Sequence, residues 1–118
     1  MLIQRFETNE RSSQAVACNG FVFLAGQVAR DAPNAPIDVQ TRDALKRVDA
    51  LLAKAGSDKT RLVSAVIWMA DIREFPAMNA VWVDWLPSGG GPARAVIESR
   101  LAYPEFRVEI GIIAAAKP

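Results

Sequence analysis

The sequence predicts an α+β sandwich: one mixed sheet with two helices on one of its faces. Three observations carry this. The chain has 118 residues, the length of one domain. Two stretches show apolar residues at 3–4 spacing, and the stretches between and around them alternate or are β-branched. The resulting order is β-β-α-β-α-β-β, with a possible further strand at the start. Paired strands at both ends and a strand–helix alternation in the middle give two layers rather than a barrel or bundle.

Residues 2–8 suit a weak edge strand. Residues 14–27, QAVACNGFVFLAGQ, read as a hairpin, with Asn19-Gly20 supplying the positive φ angles of a type I′ turn. Residues 38–56, DVQTRDALKRVDALLAKAG, read as a helix. Asp38 is its expected N-cap and Gly56 its C-terminal stop. Ala44, Leu45, Val48, Leu51, Leu52 and Ala55 form its apolar stripe. Residues 61–71, RLVSAVIWMAD, suit a central strand, rich in β-branched and aromatic residues. Residues 74–86, EFPAMNAVWVDWL, form a second helix, with Pro76 in its first turn, where a missing N–H costs nothing. Residues 91–116, GPARAVIESRLAYPEFRVEIGIIAAA, read as two strands of a closing hairpin. Such a sheet also has an outer face. Val16, Val22 and Leu24 or their alternates, Val96, Ile112 and Ile113 supply apolar material for it, which predicts a homo-oligomer.

Composition narrows the chemistry. Fourteen basic and thirteen acidic residues leave a net charge of +1, so no nucleic-acid partner is expected. No apolar run spans a bilayer, and MLIQRFETNERSS does not have the form of a signal peptide; a soluble, cytoplasmic protein without a membrane partner is expected. A single cysteine, Cys18, rules out an intrachain disulfide. There is no histidine, which excludes a Ser-His-Asp triad, a Cys-His dyad and a His-ligated metal. Acid–base work falls to carboxylates, water, Lys, Tyr or the backbone.

Two charges stand out in the closing segment. Arg94 reads either as a solvated strand-end arginine or as a fork for a carboxylate. Glu109, among Val108, Ile110, Ile112 and Ile113, reads either as part of a solvated face or as a proton-exchanging carboxylate in an apolar cleft. In a hairpin turning at Tyr103-Pro104, Glu109 falls opposite residue 98, and Arg94 lies roughly 13 Å further along. That gap suits a small ligand held at both ends. Gly26 is either a strand-end glycine or a bare N–H offered to an anion. Asn79 sits mid-helix, as a surface residue or a ligand contact. Trp82 and Trp85 read as core or interface anchors. GSDK and PSGGGP do not have phosphate-loop spacing.

Four segments together resemble the RidA/YjgF family of reactive-intermediate (imine) deaminases: SSQAV…NGFVFLAGQVARD, DVQTRDALKRVDALLAKAGS, VIWMADIREFPAMNAVWVDWL and PAR…RLAYPEFRVEI. The N-A-V-W and Y-P-E-F-R-V-E-I stretches look most like its YoaB-like branch. The resemblance implies a chorismate-mutase-like fold and a homotrimer with sites in the clefts between subunits. It implies hydrolysis of 2-imino acids, such as 2-iminobutanoate or 2-iminopropanoate, to 2-oxo acids and ammonia, with no cofactor or metal. By the same resemblance Arg94 binds the substrate carboxylate with the Gly26 N–H, Glu109 handles the water, and Asn79 lines the site. Ser12, Ala25 and Val96 stand where many members carry Tyr, Ser and Cys, so two polar contacts to substrate are lost. A non-catalytic trimer that binds small carboxylates such as 2-oxo acids is the alternative.

Overall fold

The computed structural model describes all 118 residues. Its elements are β1 (Ile3–Thr8), β2 (Ser13–Cys18), β3 (Phe21–Leu24), β4 (Gln27–Val28), α1 (Ile37–Ala55), β5 (Leu62–Met69), α2 (Phe75–Trp85), β6 (Ala93–Glu98) and β7 (Val108–Ala115). The N-terminal strand is therefore present. All strands join one sheet in the order β1-β2-β3-β7-β5-β6, and β4 continues beyond β3 along β7. Only β5 and β6 run parallel. Neither helix is long and apolar enough to cross a membrane.

Both helices cover one face. Val22 and Leu24, Ala65, Ile67 and Met69, and Val108, Ile110 and Ile112 point inward and are buried. They pack on Leu45, Val48 and Leu52 of α1 and on Met78 and Trp82 of α2. Asn19 and Gly20 both have positive φ, 52° and 83°, as the predicted turn requires. Gly56 closes α1 at φ 89°, a left-handed conformation in which a Cβ would be strained. The start of α1 corrects the expectation. The cap position is Pro36, and no side chain caps the free N–H groups of the first turn. Asp38 instead lies within that turn, favourable to the helix dipole, and pairs with Arg42 at 3.1 Å.

The closing hairpin is also corrected. Strands β6 and β7 are not partners, because β5 lies between them. The reason is topological. The β5–α2–β6 unit is a crossover that returns β6 parallel to β5, leaving β6 at the sheet edge. The chain then passes over the end of β5 through residues 99–107 and fills the gap between β5 and β3.

The apolar outer face exists with a different membership. Val22, Leu24, Val96 and Ile112 face the helices. The outer face carries Val16, Val66, Trp68 and Ile113, with Phe21, Phe23 and Ile97 respectively 41%, 42% and 45% exposed.

Candidate active site

Glu109 is the second residue of β7, between buried Val108 and Ile110, so alternation turns it to the outer face. Its neighbours across the sheet are Trp68 on β5 and Val28 on β4. The Trp68 ring lies over Gly111, where a Cβ would come within 3.1 Å of it. The loop before β7 is pinned from beneath. Buried Gln40 of α1 donates to the carbonyls of Ala35 and Glu105 at 3.1 and 3.0 Å and accepts from the Arg107 N–H at 2.8 Å. The Arg107 side chain bonds Glu74 at 3.0 Å.

Gly26 sits in the break between β3 and β4, against that carboxylate. A Cβ on residue 26 would overlap a Glu109 carboxylate oxygen and lie 2.8 Å from its Cδ and 2.9 Å from its Cγ. Any larger residue at 26 thus fits only if the Glu109 carboxylate moves from this position, with no positive φ involved. The Gly26 N–H bonds to no acceptor in the protomer, while the preceding Ala25 N–H donates to the Gln14 carbonyl at 2.9 Å. A free backbone donor and a carboxylate therefore share one small region of surface.

Arg94 belongs to a second cluster. It pairs across the sheet with buried Ala65, so its side chain is on the helix face of the edge strand. One guanidinium N–H donates to Asn79 Oδ1 at 2.8 Å. The guanidinium carbon lies 5.7 Å from the Phe75 ring and 5.8 Å from the Trp82 ring, at cation–π range. Phe75, Asn79 and Trp82 fall on one face of α2 by helical spacing. Arg94 takes part in none of the ion pairs of the protomer, so most of its donors face outward unused.

The two clusters do not meet within one chain. Glu109 is level with Trp68 and Arg94 with Ala65, on the strands either side of β5. Three residues along and two strand spacings across put their Cα atoms roughly 14 Å apart, with side chains on opposite faces. Of the other predicted positions, Ala25 adjoins Gly26, and Val96 packs toward the core. Ser12 is exposed in the β1–β2 turn, where its N–H bonds Asn9 Oδ1 at 3.0 Å. Phe75 is the contact the sequence did not single out. Its position one helical turn before Asn79 was the available signal.

The comparisons with known proteins give this geometry its context. Residues 2–116 match the family model described as Endoribonuclease L-PSP. A RutC family protein of Haemophilus ducreyi is 37% identical over 114 residues, covering 97% of each chain. The RutC family protein YoaB of Escherichia coli is 35% identical, covering 98% of this chain and 99% of its own. The chain belongs to the RidA/YjgF family. The crystal structure of a YjgF family member from Neisseria meningitidis superposes with a TM-score of 0.96 at 43% identity, covering 100% of this chain and 98% of that one. The fold is that of the RidA/YjgF family, and the Pro-Ala-Arg and Val-Glu-Ile segments of this member are the two clusters described above.

Proposed function

We propose that the protein hydrolyses 2-imino acids, or their enamine tautomers, to 2-oxo acids and ammonia. The observation that carries this reading is that Gly26, whose N–H has no acceptor in the protomer, packs against the Glu109 carboxylate: an anion donor on the residue beside an acid–base group. Arg94 supplies the second anion grip. Its unpaired guanidinium, held by Asn79 and two aromatic rings, suits a carboxylate, and each such charged hydrogen bond is worth roughly 1.5–3 kcal/mol. Because Arg94 and Glu109 face opposite ways, one substrate reaches both only where two copies meet. The exposed Phe21, Phe23 and Ile97 favour the same arrangement, and we assign it as a homotrimer with sites between subunits.

In this site the substrate carboxylate rests on Arg94 of one copy and the Gly26 N–H of its neighbour. Glu109 accepts a proton from a water as the water oxygen bonds to the imine carbon. The C=N π electrons move to nitrogen, which takes the proton back from Glu109. Glu109 then takes the hydroxyl proton of the adduct and passes it to the nitrogen as the C–N bond breaks, so that the carbonyl forms and ammonia leaves. Orientation and one general acid–base group are sufficient for a reaction that free imines already undergo in water.

The test generates the imine in situ with an amino-acid oxidase and lets semicarbazide compete for it. Wild type should divert flux from semicarbazone to 2-oxo acid. Glu109→Gln should lose roughly 10²–10⁴-fold in rate, the usual range for a general acid–base group. Arg94→Ala should lose affinity for 2-oxo acids. A wild type no faster than the buffer with any of several amino acids defeats the proposal. A wild type that binds 2-oxobutanoate but never turns over imine assigns it to carboxylate binding instead.

A further inference from the structure

We infer that Gln27 is a positioning residue that sets the Gly26 donor, an assignment that rests on the 2-imino acid reading of the site. The Ala25 carbonyl and the Gly26 N–H belong to one peptide plane, pointing in opposite directions. Gln27 Nε2 donates to that carbonyl at 3.0 Å, and its second hydrogen goes to Gln14 Oε1 at 2.9 Å. A carbonyl only accepts, so the nitrogen of the Gln27 amide must face it, and the amide orientation is fixed by chemistry. Gln27 is 3% exposed, so this tie is shielded from water.

Two consequences follow. Holding the carbonyl holds the plane, and with it the direction of the N–H at the far end. The Ala25 N–H bond to the Gln14 carbonyl, at 2.9 Å, secures the preceding peptide. Donation to the carbonyl also polarises the peptide and makes its N–H a stronger donor to an anion. The registration with Glu109 is built in. Gln27 and Val28 pair with Ile110 and Glu109 of β7, so the donor and the carboxylate share one strand frame.

The experiment is NMR on labelled full-length protein, with 2-oxobutanoate as the probe. In ligand-free Gln27→Met, which keeps the side-chain volume, the Ala25 carbonyl ¹³C and the Gly26 amide ¹⁵N should both move. An Ala25 carbonyl that stays at its wild-type shift overturns the assignment, whatever the ligand does. In wild type, the Gly26 amide and the Gln27 side-chain NH₂ peaks should shift along one 2-oxobutanoate binding curve. A Gly26 shift with the Gln27 NH₂ unmoved also overturns it, and this readout needs no variant to fold. Gln27→Met should raise KM about 5–10-fold with kcat nearly unchanged, the signature of lost uniform binding, and should lower the thermal midpoint because the Ala25 carbonyl and Gln14 Oε1 lose their donor. A wild type whose Gly26 amide ignores 2-oxobutanoate sinks the substrate reading, while the ligand-free carbonyl shift still decides the role of Gln27.

Discussion

Replacing Gly26 by alanine puts a methyl group where the Glu109 carboxylate sits. The carboxylate must swing away, and a displacement on the order of 1 Å costs about 10²-fold in a well-oriented reaction. Gly26→Ala should therefore cut kcat/KM about 100-fold, while the thermal midpoint changes little because residue 26 is exposed. A variant with wild-type kinetics would show that the carboxylate is not held for catalysis. Asn79→Ala removes the 2.8 Å bond to Arg94 but leaves the two rings beneath it. Affinity for 2-oxobutanoate, read by calorimetry, should fall about tenfold, in keeping with one charged hydrogen bond. The residue types of this chemistry were legible in the sequence: an arginine, a carboxylate, a bare glycine and no histidine. The proximity of Gly26 to Glu109 was not, because it arises from β4 pairing with β7 across most of the chain's length.

At the scale of elements, the turn that launches α2 carries a clear electrostatic signal. Asp71 accepts from the backbone N–H of Arg73 at 3.0 Å and from its side chain at 2.7 Å. These hydrogen bonds, the side chain's first, hold its pKa down from 3.8 to about 2. A carboxyl with a depressed folded-state value adds stability that is fully present above its unfolded value and is lost as pH falls through the folded one. The stability difference between wild type and Asp71→Asn should thus be constant above about pH 5, shrink as pH falls and close only below about pH 2, in urea titrations at stepped pH. A gap as large at about pH 2 as at pH 6 would rule out this ionisation as its source. Helix and strand identities were readable because 3.6- and 2-residue periodicities are local. The pairing of β6 and β7 was not, because insertion of β5 between them leaves no mark on either strand's own pattern. Face parity was not readable for the same reason: the side to which Arg94 points is set by its register with Ala65.

The whole molecule presents a sheet with one face packed by helices and the other apolar and open, and two charged clusters that cannot reach each other. The existence of an apolar outer face was legible from the excess of apolar strand residues. The division of the site between copies, implied by the family resemblance alone, is a proposal that now rests on Arg94 and Glu109 lying on opposite faces, which no local pattern reveals. It makes a sharp prediction about mixed assemblies. Arg94→Ala subunits keep Glu109, and Glu109→Gln subunits keep Arg94. In a ring of heterologous interfaces, co-refolding equal amounts of the two inactive variants builds the wild-type pair at one interface in four, so about a quarter of wild-type imine hydrolysis should return. Each variant refolded alone should stay inactive, as should the two mixed without unfolding until subunits exchange. If the co-refolded mixture remains as inactive as its components, while size-exclusion and mass analysis show mixed trimers, then one chain supplies both groups and the two-copy site is wrong.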